Sequence, residues 1–517
     1  MNLMWDVFER GLRRNPGNPL FVLDDCTYSY AEFGAAVDRF CWGLADLGVT
    51  KGDRVSYYMS NRFEALVTYW ACVKMGAVLV PLNVMLRPRE VVHVLNDAGT
   101  KVLVADVGVP NVRASLEASV PELRTVEAIV ACRGTAPGYR SWEAVLEAGN
   151  GDPFSVVDCA EDDVAQCFYT SGTEGRMKGA VTSYGSLFDI TQNYVLSFGF
   201  RRTDVAVTSM PIYAAFSPWF ILQPIMQVGG TVILHETFDA KRILGDIERY
   251  HANYFCGSPT MFVSLLAEHR SETADFDVSS LRTCGVSGAK MPDDLIAAFE
   301  AELGCRIGEV YGQTETGPVA VTPVYGQRRA GAAGLPAGGT TIRIVNEQDE
   351  VLPHGEVGEI VVQSSMCTRG YLNLPDLSEE LWRSGWLHTG DLGYLDEDAF
   401  LYVVDRKKDV IITGGANIYP AEVEQVLMEH PGILHAAVVG VPDYKYGELP
   451  RAYVVCGDNT VLDDSAVISF CRERLAKYKA PRSVVFLEEA ELPMTANRKI
   501  LRRELRDLAR AEAAVDA

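Results

Sequence analysis

The stretch Phe168-Tyr-Thr-Ser-Gly-Thr-Glu-Gly-Arg-Met-Lys-Gly-Ala180 decides how the rest of the chain is read. It follows an apolar run (Val164, Cys167, Phe168, Tyr169) with the character of a strand. Gly172, Gly175 and Gly179 allow backbone conformations closed to other residues and let the chain approach a ligand closely. The hydroxyls of Thr170, Ser171 and Thr173 and the charges of Arg176 and Lys178 form a donor set suited to a polyphosphate. A solvated turn can have the same composition, so the loop alone leaves both readings open. It is not the common phosphate-binding loop, because no G-x-x-x-x-G-K-[ST] run occurs in the chain.

Outward from the loop, composition sets bounds. A chain of 517 residues is too long for one compact core, and two to four domains are expected. Hydrophobic residues at 48% and charged residues at 22% are ordinary for a soluble globular protein. The net charge of −22 argues against general binding to nucleic acid or anionic membranes, so any cationic site for an anionic ligand must be local. The 12 cysteines are scattered without a C-x-x-C pair, which reads as reduced thiols and suggests neither zinc nor a disulfide framework. The N-terminal residues, with Asp6, Glu9, Arg10, Arg13 and Arg14, lack the apolar core of a signal peptide, and a cytoplasmic location is expected. Residues 205–234 carry no formal charge, yet Pro211, Pro218, Pro224, Gln223, Gln227 and Gly229-Gly230 interrupt them. A buried helix and strand lining a hydrophobic pocket fits that pattern better than a membrane span.

Periodicity predicts an amphipathic helix over 3–14, with Leu3, Val7, Phe8 and Leu12 on one face, and another helix over 64–74. The continuous apolar run 76–82 reads as a strand buried on both faces. Helix-then-strand units recur to residue 130 and again from 184 to about 303, predicting α/β layers built from crossovers. From 332 to 404, short alternating runs such as 341–345 and 359–362 between turn residues predict an all-β section, a small barrel packed on the α/β part. α/β texture returns after Asp405-Arg-Lys-Lys-Asp409, with helices expected at 420–430 and 464–477. The predicted class is therefore α/β. A large N-terminal domain, 1–407, holds two layered α/β subdomains and the small β-barrel, and a small α+β domain, 408–517, follows.

The order Tyr169-Thr-Ser-Gly-Thr-x-Gly-x-x-Lys-Gly179 resembles the signature loop of the AMP-forming adenylating enzymes, which include acyl-CoA synthetases, peptide-synthetase adenylation domains and luciferases. Glu174 stands where that family often has Thr or Ser, and Met177 where it usually has Pro. Five further stretches match the family in order, and the resemblance runs from about residue 20 to 505. It implies a small C-terminal domain that moves.

In Tyr311-Gly312-Gln313-Thr314-Glu315, the resemblance makes Glu315 the carboxylate for the Mg2+ that bridges nucleotide phosphates. Ser287-Gly288-Ala289 sits where the family holds adenine, and is also a near miss for the hydrolase elbow G-x-S-x-G. Asp391, in Thr389-Gly-Asp391, matches the ribose ligand, and Arg406 its partner. Lys408 matches the hinge of the C-terminal domain. Gly414 and Gly415 match a loop lining a pantetheine tunnel, and Lys499 matches the lysine that reaches both the acid and the α-phosphate, preceded by Arg498 where glycine is frequent.

Pro211-Ile-Tyr-Ala-Ala-Phe216 aligns with the segment bordering the acyl site, where Ala214 replaces a customary His or aromatic residue. Tyr213, Ala214, Phe216 and Trp219 are the expected acyl-pocket residues, in surroundings suited to an uncharged hydrophobic group. Tyr446 and Tyr478 fall where relatives contact CoA, while Ala480 lacks the arginine some of them use. The implied enzyme is an ATP- and Mg2+-dependent acid–CoA ligase acting on a small-molecule fatty or aromatic acid, as a monomer or homodimer. Thr170, Lys178, Glu315 and Lys499 are its expected catalytic set. One alternative delivers the acyl group to a carrier-protein thiol or an amine, and another is a nucleotide-binding pseudoenzyme.

Overall fold

The computed structural model describes residues 2–149, 151–170, 176–271, 275–457, 460, 462–494 and 500–515. The chain divides into two compact units, one comprising Met1–Ile342 with Val362–His388, the other Arg343–Val361 with Thr389–Ala517. The predicted α/β class, with a larger N-terminal and a smaller C-terminal part, is the fold observed.

In the first unit, Arg54–Tyr58, Val78–Leu82, Thr100–Asp106 and Ala128–Cys132 form a parallel core, which Val164–Thr170 joins in parallel beside Val78–Leu82. Lys178–Ser183 closes this seven-stranded sheet as its antiparallel edge. Val78–Leu82 is buried at every position, as its unbroken apolar run requires of a strand covered on both faces. A nine-stranded sheet takes Val205–Thr208, Thr231–Leu234, Tyr254–Gly257, Thr283–Val286 and Arg306–Gln313 into its middle. Its sequence-distant neighbour Pro19–Leu23 pairs in parallel with Thr231–Leu234, placing Phe21 opposite Val232.

The predicted opening helix is Leu3–Arg14, but the face it buries turns toward Met4, Trp5, Val7 and Phe8. Gly11 completes that face, and the ring of Tyr30 lies 2.4 Å from where a β-carbon on Gly11 would be. The 64–74 helix spans Phe63–Met75 and is buried from Ala65 to Met75, including Lys74, whose ammonium pairs with Asp38 and lies over the Trp5 ring. A helix buried all round has little amphipathic signature. Residues 205–234 form the strand Val205–Thr208, a π-helical turn Pro218–Leu222, the helix Gln223–Val228 and the strand Thr231–Leu234. Among the described residues no helix is long and apolar enough to cross a membrane.

The expected all-β section holds the strands Thr341–Val345, Gly358–Gln363, Trp382–Arg383, Trp386–Leu395 and Leu401–Arg406 in one sheet, and also a short helix, Pro375–Leu381. In the second unit, Gly447–Cys456 pairs with Ile433–Asp443, Ile411–Thr413 and Ser483–Phe486. The predicted helices appear as Pro420–Met428 and Asp464–Arg474. Their apolar faces share a core with Ile411, Val438, Val454 and Ala480.

Candidate active site

The signature stretch is a β-hairpin. Thr170, the last residue of one strand, pairs with Lys178, the first of the next, so the loop leaves from and returns to neighbouring positions on the sheet edge. Ser171, Gly172, Thr173 and Gly175 lie outside the described residues. Helix Pro88–Ala98 braces both stems: Tyr169 donates to Asp97 Oδ2 at 2.7 Å, and His93 Nε2 lies 2.9 Å from the Met177 carbonyl. A carbonyl oxygen only accepts, so His93 carries its proton on Nε2.

Glu315 comes to this hairpin from the other sheet. It sits in the turn joining Arg306–Gln313 to Gly317–Val321, which Thr316 Oγ1 tightens by accepting from Gln313 N at 2.9 Å. Gly312 is confined by its neighbours, since a β-carbon there would lie 2.2 Å from the Gly317 carbonyl. Two hydroxyls donate to Glu315 Oε1, Thr170 Oγ1 and Tyr371 OH, each at 3.1 Å. Lys178 Nζ stands 5.2 Å from the centre of the Tyr371 ring. Burial, and then the charge of Glu315, push the Tyr371 phenol well above its usual range, so it remains a donor. The predicted residues Thr170, Lys178 and Glu315 are thus brought together. Tyr371 was missed, because no repeat or motif spacing in this stretch singles it out; an isolated bridge to Ala180 holds it beside the hairpin.

Strand Thr283–Val286 ends immediately before Ser287-Gly288-Ala289. Gly288 has φ +90° with open space where a side chain would begin, and Ser287 is half-buried. Tyr311, Gly312, Gln313 and Thr314 are half-buried on the strand and turn that lead to Glu315.

In the expected acyl segment, Tyr213, Ala214 and Phe216 are half-buried and Trp219 is only 3% exposed. Burial pushes the Tyr213 phenol up to about 12. The Trp219 ring meets Phe168 edge-on, with centroids 5.5 Å apart, and its indole N–H donates to Gln166 Oε1 at 2.9 Å. The Gln166 amide then meets Tyr69 OH, which also meets the amide of Gln223. Thr191 Oγ1 lies 2.9 Å from both Gln223 Oε1 and the Leu187 carbonyl, two acceptors for its single hydroxyl proton. The amide nitrogens of Gln166 and Gln223 thus converge as donors on the Tyr69 hydroxyl, and Trp219 is tied to that pair through Gln166 Oε1.

In the second unit, Asp391 and Arg406 face each other across antiparallel strands, with Arg406 Nε 3.4 Å from Asp391 Oδ1. Asp391 is 5% exposed, and its side chain stays beside the guanidinium rather than reaching into solvent. Lys408 lies in a short 3-10 turn, Lys407–Asp409. Gly414 and Gly415 are the two turn residues of the hairpin Ile411–Thr413/Ala416–Ile418, with φ +56° and +85°. Two positive φ angles in a two-residue loop demand glycine or a close substitute, whatever may bind there. Gly414 N donates to the Tyr446 carbonyl at 2.7 Å, which fixes Tyr446 next to this turn. Tyr446 and Tyr478 are 40% and 41% exposed, whereas Ala480 is enclosed in the core. Lys499 lies outside the described residues.

Residues 8–372 match the AMP-binding enzyme family, and residues 422–499 match the AMP-binding enzyme C-terminal domain. The chain belongs to the AMP-binding enzyme family. Among curated relatives of this AMP-binding enzyme, a feruloyl-CoA synthase from Amycolatopsis sp is 37% identical over 92% of this chain and 93% of its own. A long-chain-fatty-acid–CoA ligase from Escherichia coli is 31% identical over 98% and 94%. Among solved structures, the o-succinylbenzoate CoA synthetase MenE from Bacillus subtilis, in complex with its acyl-adenylate intermediate, superposes with a TM-score of 0.85 at 30% identity, covering 97% of this chain and 98% of that one.

Proposed function

We propose that this AMP-forming enzyme ligates a hydrophobic fatty or aromatic carboxylic acid to coenzyme A through an acyl-adenylate. The observation that carries the reading is the meeting of Thr170 and Tyr371 on the Glu315 carboxylate, with Lys178 over the Tyr371 ring, at the base of the phosphate-loop hairpin. In the first step an oxygen of the acid attacks the α-phosphorus of ATP, and the bond to the β-phosphate breaks to release pyrophosphate. In the second, a thiolate attacks the acyl carbon and AMP leaves.

Glu315 fits a magnesium ion in kind. It is a hard carboxylate set between hydroxyl groups, and among the described residues no cluster of three or more His, Cys, Asp or Glu forms an all-protein cage. Magnesium commonly takes one or two carboxylates and completes its shell with substrate phosphates and water. When bound, it would neutralise charge on those phosphates. Thr170 orients Glu315, and Lys178, with Lys499, supplies positive charge to the developing phosphorane. Ser171, Gly172, Thr173 and Gly175 cradle the phosphates.

Ser287-Gly288-Ala289 and Tyr311 to Thr314 hold the base, and Asp391 accepts from both ribose hydroxyls with Arg406 beside it. The C-terminal domain begins at Lys408, the residue about which it turns between the two steps. Gly414, Gly415, Tyr446 and Tyr478 serve the CoA step. Tyr213, Ala214, Phe216 and Trp219 take the acyl group, and the absence of any formal charge from 205 to 234 favours an uncharged one. The twelve free cysteines support a reducing, cytoplasmic setting.

The buried position of Ala480 favours a second reading, in which the acceptor is a carrier-protein thiol or an amine, because an arginine for the CoA nucleotide has no room there. One experiment tests both. Pyrophosphate release is measured with ferulate, cinnamate, benzoate, decanoate and palmitate, with and without CoA, alongside exchange of labelled pyrophosphate into ATP. Exchange with at least one acid, and its acyl-CoA when CoA is added, is expected. Exchange without thioester would transfer the assignment to another acceptor, and no exchange with any acid would overturn the ligase reading.

A further inference from the structure

Asn61 follows strand Arg54–Tyr58 of the seven-stranded sheet, yet its side chain bonds to the segments that leave strands Val205–Thr208 and Thr231–Leu234 of the nine-stranded one. Its Nδ2 donates to the carbonyls of His235 at 2.8 Å, Met210 at 3.0 Å and, more weakly, Ser209 at 3.3 Å. Its Oδ1 accepts from the backbone N–H of Ile212 at 2.8 Å. Three carbonyls on one side and an N–H on the other fix the orientation of the amide. Tyr57, four positions earlier within the strand and fully buried, donates its hydroxyl to the Ile212 carbonyl at 2.7 Å.

The gripped segment, Ser209–Ile212, belongs to neither a strand nor a helix. Ser209, Met210 and Ile212 are 5%, 2% and 1% exposed, so their backbone groups need partners inside the protein. A carboxamide meets that need as a peptide group would, donating and accepting at once. The next residues are Tyr213, Ala214 and Phe216.

We infer that Asn61, seconded by Tyr57, is a positioning residue for acid recognition, setting from the opposite sheet the backbone that presents Tyr213, Ala214 and Phe216. The inference rests on the assignment of those three residues to the acid. Asn61→Asp keeps the shape but turns the donor side into an oxygen facing three carbonyls. Tyr57→Phe keeps the ring and removes one hydrogen bond.

Pyrophosphate release is measured for wild type and both variants with ferulate and with decanoate, varying acid and ATP separately. Hydrogen–deuterium exchange is followed in peptides covering 205–217. In Asn61→Asp the KM for acid should rise about 10-fold or more, and in Tyr57→Phe about 3- to 10-fold, the scale of one or a few lost hydrogen bonds. The KM for ATP should stay within about twofold, since the phosphate hairpin is not gripped by either residue. Exchange should quicken at 209–217 while the flanking strands stay protected.

Acid and ATP KM values rising together would reduce Asn61 to a general brace between sheets and overturn the inference. So would an unchanged acid KM, or unchanged exchange, in folded protein. If Asn61→Asp does not fold, Tyr57→Phe carries the same test. Wild-type protein inert toward both acids would count against the ligase reading, and the clamp is then judged on exchange alone.

Discussion

At the scale of single residues, the Glu315 carboxylate is the point on which the first unit converges, and Tyr371 is the side chain there whose removal is cleanest. Tyr371→Phe deletes one donor to Oε1 and leaves the ring beneath Lys178. The KM for ATP or kcat should worsen about 10- to 100-fold, as for one hydrogen bond to a charged group, with the acid KM unmoved. A change confined to the acid would remove Tyr371 from the nucleotide site. Lys499, argued from sequence alone, gives a sharper test. Lys499→Ala should slow adenylation by about 10²–10³, the effect of losing one preorganised charge, while chemically prepared acyl-adenylate is still converted to acyl-CoA at near the normal rate. Failure of that bypass in folded protein would mean that one lysine serves both steps. Thr170, Lys178 and Glu315 were legible in the sequence because each falls in a stretch that matches, in order, the motifs of the AMP-forming enzymes. Tyr371 and Asn61 were not, because one acts through a lone phenol and the other through backbone carbonyls that only folding brings within reach.

At the scale of elements, the paired glycines show how one sequence feature can have two sufficient causes. A wide-open route for a thiol needs small residues, and so does a two-residue turn with both φ angles positive. The cases separate at Gly415, where no atom lies within 4 Å of an added β-carbon. Gly415→Ala should cost about 1–2 kcal/mol in denaturant unfolding of the C-terminal part, purely from the left-handed backbone, and Gly415→Asn less. If Gly415→Asn folds normally but loses thioester formation alone, space at this turn matters to the reaction. Legibility was uneven among helices too. Helix Tyr30–Asp46 goes unremarked in a search for apolar periodicity, although Ser29 and Glu32 form a capping box that announces its start. The helices at 420 and 464 were found because proline or acidic residues mark their first turns.

At the scale of the whole molecule, the proposed two-step cycle requires the C-terminal domain to take two orientations, and Lys408 is where φ and ψ would change. Lys408→Pro fixes φ near −65° and should leave pyrophosphate exchange largely intact while thioester output collapses. Equal loss of both steps would remove the hinge assignment. The pairing of Phe21 with Val232 has a consequence of a different kind, for synthesis on the ribosome. Strand Pro19–Leu23 emerges more than two hundred residues before its parallel neighbour, so at about 5–20 residues per second it waits roughly 10–40 s with apolar side chains uncovered. Nascent chains arrested before residue 231 should therefore be cut readily by protease within the first thirty residues and be held by chaperones. Chains arrested well beyond 257, with Val205–Thr208, Thr231–Leu234 and Tyr254–Gly257 all free of the exit tunnel, should resist the same digestion. The order in which the sheets are completed would then be set by translation, and slowing it between these points would lengthen the most aggregation-prone interval in the life of the chain.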